Sequence, residues 1–370
     1  MNNLTTAVAV SGGIDSLYAA WLLKKAGHKV VGIHFITGYE KGGGEPLSTV
    51  PSPWLTLHAE TCRTAIPAMN HVAEQLQVPI HLIDIRDRFE AEVVVPFVEA
   101  YRSGCTPNPC QRCNPAIKFG LLLEIAATLG AHSLATGHYV KTRRDDTGLV
   151  HLLKGEDPLK DQSYFLSMVS SEHLGKAVFP LGGMVKEEIK KEAAEAGLSS
   201  VSKGESQDIC FIENGDYKEF LLKRPGFAMK PGPIVTEDGT EVGRHLGLHG
   251  FTLGQRRGIN CPGPYPYYVL AIEPETNRLV VGKKEALFSA SCSVTGLNWI
   301  QPPPRTVFEA VCKIRYSHKG SPCRIELGPE KATATLFFDT PQSAITPGQG
   351  AVFYAGDEVL GGGWISHKTV

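Results

Sequence analysis

The stretch AVAVSGGIDSLYAAWLL, residues 7–23, reads as a short apolar strand, a glycine-containing turn and then an amphipathic helix. A strand that turns through glycines into a helix aims free backbone N–H groups and a positive helix end at one point, which suits a bound anion such as phosphate. A Walker-type loop needs a lysine just before Ser/Thr, and SGGIDS has none. A dinucleotide fingerprint needs three spaced glycines and an acid closing the second strand, whereas that strand here ends in His34 and Phe35. The loop therefore belongs to neither of those two classes.

The same alternation continues outward from it. AVAV (7–10), KVVGIHF (29–35), IHLIDI (80–85) and HSLATGHY (132–139) read as strands. DSLYAAWLLKKAG (15–27), AIPAMNHVAEQLQ (65–77), RFEAEVVVPFVEAYRSG (88–104), IKFGLLLEIAATLG (117–130) and KEEIKKEAAEAGL (186–198) read as helices. Strands alternating with helices predict a parallel sheet. After about residue 210 glycine and proline rise, and KPGPIVTEDGTEVGRHLG reads as a hairpin turning at EDG. From about 284 onward VFEAVCKIRYS, CRIELG, KATATLFFD and QGAVFYAGDEVLGGG read as short strands of a small antiparallel barrel. The expected organisation is α/β in three parts: 1–210, 211–283 and 284–370.

Composition narrows the function classes. The 370 residues carry 37 Lys and Arg against 38 Asp and Glu, so a polyanionic partner would have to be met by a local patch. No apolar run is long enough to span a membrane and the N-terminus lacks signal-peptide character, so a cytoplasmic location is expected. Nine cysteines are scattered without a secreted-disulfide pattern. The exception is TPNPCQRCN, Thr106 to Asn114, which puts Cys110 and Cys113 close together in what reads as a proline-stiffened turn. Cys113 stands just ahead of a predicted helix, whose dipole is expected to lower its pKa and make it nucleophilic. Cys210 lies in a short apolar segment beside Asp208.

SGGxDS behind a strand resembles the pyrophosphate loop of ATP pyrophosphatases, enzymes that adenylate a carbonyl oxygen. In that loop Ser11 and Ser16 donate hydroxyls, Gly12 and Gly13 permit close approach, and Asp15 holds magnesium or caps the helix. Beyond the loop, the chain resembles the tRNA-specific 2-thiouridylases nearly end to end. The motifs are SGGIDS, GCTPNPCQRCNPAIKFG, ATGHY, LKDQSYFL, FPLGG, KGESQDICFI, GLHGFTLGQRRGI, KIRYSH, TPGQGAVFY and GGGWI.

The resemblance implies an N-terminal adenine-nucleotide α-hydrolase-like (PP-loop) domain, a β-rich central domain, a C-terminal β-barrel, and ATP-dependent 2-thiolation of the wobble uridine. It makes Cys113 the catalytic nucleophile and Cys210 the carrier of a persulfide. ATP, with Mg2+, is placed against Ala9, Val10, Ser11, Gly12, Gly13, Ile14, Asp15 and Ser16, with Phe35 and Gly137 near the adenine and ribose. His138, Lys160, Asp161, Gln162, Arg315, Tyr316 and Gln349 are implied to touch tRNA at its anticodon stem loop, and Asn108, Pro109 and Cys110 to line the pocket for the base. A uridine whose C2 must be reached has to leave its stack, so a rigid pocket is reasonable. The implied partners are tRNA and a sulfur donor such as a cysteine desulfurase or a sulfur relay protein, with no membrane.

Departures from the family pattern lie at Cys105, where arginine is common, at the acidic residues missing after Cys62, and at Cys110, where some relatives carry aspartate. With Cys110, three thiols are available. They suit a persulfide route, a [4Fe-4S] cluster on Cys110, Cys113 and Cys210, or zinc completed by His138. Rival functions are an adenylating sulfurtransferase making 4-thiouridine or 2-thiocytidine, a tRNA-binding protein with a vestigial loop, and an amidotransferase-type ligase that would not need the cysteines.

Overall fold

The structure is a computed structural model that describes residues 4–40, 52–201, 209–212 and 215–367. Its chain divides into two compact units: Met1–Val93 with Cys110–Phe211 and Asp357–Val359, and Val94–Pro109 with Ile212–Gly356 and Leu360–Val370.

The first unit is built on a six-stranded sheet in the order β3-β4-β2-β1-β5-β8, all neighbours parallel. Its strands are β1 (Thr5–Ala9), β2 (Lys29–Ile36), β3 (Leu55–Leu57), β4 (Ile80–Asp84), β5 (Ser133–Ala135) and β8 (Ala177–Val178). Parallel strands with both faces covered are apolar almost throughout, which is why β1 and β2 read as continuous runs. Helices α1 (Ile14–Lys25) and α2 (Ile66–Leu76) pack Leu17, Tyr18, Met69 and Val72 against Val8, Ile80 and Leu82 to form the core. Burial of such side chains stabilises by about 1.5–3 kcal/mol each.

Strand β5 is shorter than expected: it ends at Ala135, and Thr136 to Tyr139 form an open connection to a hairpin, β6 (Val140–Arg144) and β7 (Val150–Lys154), that the sequence reading did not contain. Glu358 and Val359 pair with Leu153 and Leu152 of that hairpin.

Two predicted helices depart from regular α geometry. Residues 88–104 divide into a short α turn, a π-helical stretch Glu90–Val94 and an α-helix Val95–Arg102. TPNPCQRCN is largely helical rather than a turn: Pro109–Cys113 is an α-helix running directly into a π-helical stretch Asn114–Leu121, and then into helix Leu122–Thr128. Pro96 and Pro115 lie by these wide turns, and a proline inside a helix removes a donor and crowds the carbonyl four residues back. Gly120 completes the second one, since a Cβ there would stand 2.7 Å from the carbonyl oxygen of Pro115.

In the second unit β9 (Gly232–Thr236) and β10 (Glu241–His245) form the expected hairpin, and β11 (Tyr268–Glu273) and β12 (Arg278–Gly282) complete a sheet in the order β10-β9-β12-β11. Ile234, Val269, Leu279 and Val281 fill its core. Beyond it β13 (Phe288–Trp299), β14 (Val307–Lys313), β15 (Ser321–Leu327), β16 (Thr333–Ser343), β17 (Gly350–Ala355) and β18 (Glu358–Ile365) form an antiparallel barrel closed by pairing of β13 with β18. Closure removes the exposed sheet edges. The segment QGAVFYAGDEVLGGG, which reads as one strand, is two strands turning at Gly356.

Candidate active site

Strand β1 delivers the chain to the loop at the C-terminal edge of the parallel sheet, where open α/β sheets bind ligands. Gly12 takes φ +83°, and a Cβ there would lie 2.5 Å from Val201 Cγ2, so the turn requires glycine. The Ser11 N–H donates to Ser16 Oγ at 3.1 Å, and Ser16 Oγ donates to the Gly13 carbonyl at 2.9 Å, which shapes the loop before any ligand arrives. Ala9 and Val10 lead into this turn, and Ile14 opens α1. Gly137 approaches from β5: a Cβ on it would stand 2.9 Å from the carbonyl carbon of Asp15. Phe35 lies half-buried on β2 next to His34, whose Nδ1 donates to the Val10 carbonyl at 2.8 Å.

Asp15 is held rather than free. Its Oδ1 accepts from Tyr139 Oη at 2.6 Å and from Lys186 Nζ at 2.5 Å. Lys186 opens the helix Lys186–Glu195, and Asp157 fixes that start by accepting from its backbone N–H at 3.1 Å. Sequence reasoning missed Tyr139 and Lys186 because only the fold brings them to the loop; no spacing motif connects positions 15 and 186.

The thiols belong to the same unit. Gln111, fully buried, donates through Nε2 to the Tyr164 carbonyl at 3.0 Å, and Asn114 Nδ2 donates to the Phe165 carbonyl at 2.9 Å. Three residues apart on a helix, these two amides pin one face of CQRCN and leave Cys110 exposed and Cys113 buried. Cys113, Cys110 and Cys210 lie close enough to act on one another electrostatically, and Lys118 acts on all three. Cys210 is exposed, and its expected neighbour Asp208 lies outside the described residues.

The expected depression of the Cys113 pKa is not found. The residue sits at the end of one helical stretch and the start of the next, without a free helix N-terminus, and burial pushes the thiol up to about 12 against the opposing pull of Lys118. Desolvation by the surrounding protein likewise raises Cys110 and Cys210, although both side chains reach solvent.

His138 is buried beside these groups and neutral, held well below its ordinary pKa by desolvation and then by Lys118. Its Nε2 faces the Lys118 ammonium at 3.5 Å, which leaves the proton on Nδ1 to donate to Thr136 Oγ1 at 2.7 Å. Among the described residues no three His, Cys, Asp or Glu side chains are grouped to hold one metal ion. All three cysteines are free thiols.

The residues expected at tRNA divide by role. Asp161 is buried and accepts from the Gly155 and Ser163 N–H groups and from Ser163 Oγ, while Gln162 Oε1 accepts from the Tyr139 N–H, so both stabilise the loop that presents Lys160. In the second unit Arg315 and Tyr316 are exposed, and Arg315 donates to the Ser343 carbonyl at 3.3 Å. Gln349 Nε2 donates to the Thr106 carbonyl at 2.9 Å, tying it to the segment that carries Asn108 and Pro109. Cys105, where a cation was expected, has its sulfur 3.2 Å from His367 Nε2.

A phosphate-type loop at the edge of a parallel sheet, with a group of free thiols in the same unit, places the chain among α/β proteins of the nucleotide-using class. The family profile described as "tRNA methyl transferase HUP domain" matches residues 4–214, and those described as "tRNA methyl transferase PRC-barrel domain" and "Aminomethyltransferase beta-barrel domain" match 218–283 and 289–365. The protein named tRNA-specific 2-thiouridylase MnmA from Geotalea uraniireducens is 44% identical over 366 residues, covering 98% of this chain and 95% of that one. Proteins of the same name from Geobacter metallireducens and Magnetococcus marinus are 43% and 40% identical, each over 97% of this chain and over 95% and 98% of their own. The chain belongs to the tRNA-specific 2-thiouridylase family.

Proposed function

We propose that this protein catalyses ATP-dependent 2-thiolation of the wobble uridine in tRNA. The observation that carries the reading is the coexistence, in one packed unit, of the phosphate loop Ala9–Ser16 and the thiols of Cys110, Cys113 and Cys210, in a chain similar over nearly its whole length to 2-thiouridylases. The loop's N–H groups and the start of α1 bind the phosphates of MgATP, and Asp15 contributes its carboxylate to the magnesium. O2 of the uridine attacks the α-phosphorus, pyrophosphate leaves, and C2 becomes electrophilic.

A persulfide on Cys210, supplied by a cysteine desulfurase or a sulfur relay protein, attacks C2 through its terminal sulfur, and AMP departs. The Cys113 thiolate then attacks the Cys210 sulfur, forming a Cys113–Cys210 disulfide and releasing the thiocarbonyl nucleoside; a dithiol reductant restores both thiols. No step of this route passes through zinc or an iron–sulfur cluster. Lys160, Arg315, Tyr316 and Gln349 hold the anticodon stem loop, and Asn108, Pro109 and Cys110 receive the base. The described residues contain no helix long and apolar enough to cross a membrane.

The test is anaerobic incubation of iron-free protein with MgATP, a persulfide donor and unmodified tRNA, followed by mass analysis of nucleosides. 2-Thiouridine is expected, and serine at Cys113 or Cys210 abolishes it. Product formed only after reconstitution with iron and sulfide replaces the persulfide route by a cluster route, and 4-thiouridine or 2-thiocytidine in its place overturns the assignment.

A further inference from the structure

A phosphate loop without a lysine of its own has to neutralise the triphosphate in some other way, since the Walker-type solution places a lysine at the β- and γ-phosphates. In this protein a lysine reaches the loop from 171 positions further along the chain: the Lys186 ammonium lies 2.5 Å from Asp15 Oδ1. The Lys186 side chain is only 5% exposed, and Asp15 is 34% exposed. A buried ammonium is costly unless its donors are engaged, and a single hydrogen bond to one carboxylate oxygen uses one of three. Tyr139 donates to the same Oδ1 and lays its ring 5.7 Å from Nζ, so both groups set the orientation of Asp15 while Oδ2 has no hydrogen bond among the described residues. The backbone of Lys186 is itself anchored by Asp157. An ammonium fixed at both ends beside an anion loop is preorganised for negative charge.

We infer that Lys186 is the phosphate-contacting cation of this loop: it holds Asp15 in the ligand-free protein and meets the phosphate oxygens of ATP when the nucleotide binds. This deepens the proposed function and rests on its nucleotide site. As the bond from the α-phosphorus to the bridging oxygen breaks, the electron pair goes to pyrophosphate, and a positive charge already in place steadies it without reorganisation.

The experiment is calorimetric titration of the full-length protein with MgATP and, separately, with adenosine, which lacks phosphate. Lys186→Met is expected to weaken MgATP at least tenfold and leave adenosine affinity unchanged, with Lys186→Arg recovering part of the loss. Equal losses for both ligands, or no loss for MgATP, would make Lys186 a structural partner of Asp15 only and overturn the inference. If Lys186→Met does not fold, the double variant Asp15→Asn/Lys186→Met, which leaves no lone buried charge, is compared with Asp15→Asn alone, because Asp15 itself serves the magnesium: a further loss of at least tenfold for MgATP and none for adenosine is expected, and no further loss overturns the inference. Failure of the wild-type protein to bind either ligand, with or without tRNA, removes the nucleotide site and the inference with it, an outcome read before any variant is made.

Discussion

Cys113 is a protonated thiol in the ligand-free protein, and the reason lies in the balance of two effects at one atom. Burial raises its pKa, Lys118 lowers it, and burial wins, leaving it at about 12 from an ordinary 9.0. At pH 8 that shift leaves about a thousandfold less thiolate than an unperturbed cysteine would have. Cys110 and Cys210 share the direction of shift but are exposed. Iodoacetamide labelling followed by peptide mass analysis at pH 8 should therefore modify Cys110 and Cys210 well before Cys113, and raising the pH toward 10 should speed Cys113 labelling about tenfold per unit. Cys113 labelling as fast as Cys110 at pH 8 would contradict this. That Cys110 and Cys113 stand close together was legible in the sequence from their spacing of three. The protonation state was not, because it depends on burial and on neighbours such as Cys210 that only the fold brings near, and no local pattern encodes it.

Among the elements, those with a strong period were readable and those shaped by a competing demand were not. The apolar runs of β1, β2 and β4 and the EDG hairpin appear where alternation and turn chemistry put them. CQRCN read as a turn because prolines flank it, yet Pro109 opens a helix, a position proline tolerates, and Pro115 widens that helix rather than ending it. Hairpin β6–β7 was missed because its strands are short and largely polar, and it is stabilised by side chains remote in sequence. His151 lies between carboxylates, with Nδ1 2.7 Å from Glu358 Oε1 and Nε2 3.1 Å from Asp145 Oδ2. Its pKa is raised by the hydrogen bond to Asp145 and further by Glu358 against the opposing effect of burial, so the fold favours the imidazolium. The contribution is complete below the ordinary value of 6.5 and fades as pH rises through the raised one. Denaturant unfolding of wild type and His151→Gln should differ by about 1 kcal/mol more at pH 5.5 than at pH 8.5. A difference independent of pH would show that His151 acts by packing alone.

For the whole molecule, the near-balance of 37 basic and 38 acidic residues means that RNA affinity has to come from a few placed cations rather than from a general field. The order of parallel sheet, small β-rich part and barrel was readable from composition and strand spacing, but the sharing of Val94–Pro109 with the second unit was not, since packing and chain order part company there. That division assigns the expected tRNA contacts to both units: Lys160 to the first, Arg315 and Gln349 to the second. Each phosphate contact on a single-stranded loop contributes about 0.7 to the slope of log affinity against log salt, and about 0.9 on a duplex. Replacing Lys160 or Arg315 by alanine should lower the magnitude of that slope by about one contact each, and the double variant by about two, since each phosphate contact releases its own counterions. Filter binding of unmodified tRNA between 50 and 300 mM salt, on the order used for such slopes, measures this directly. A slope unchanged by Arg315→Ala while Lys160→Ala lowers it would confine phosphate recognition to the first unit and take the barrel out of the RNA-binding surface.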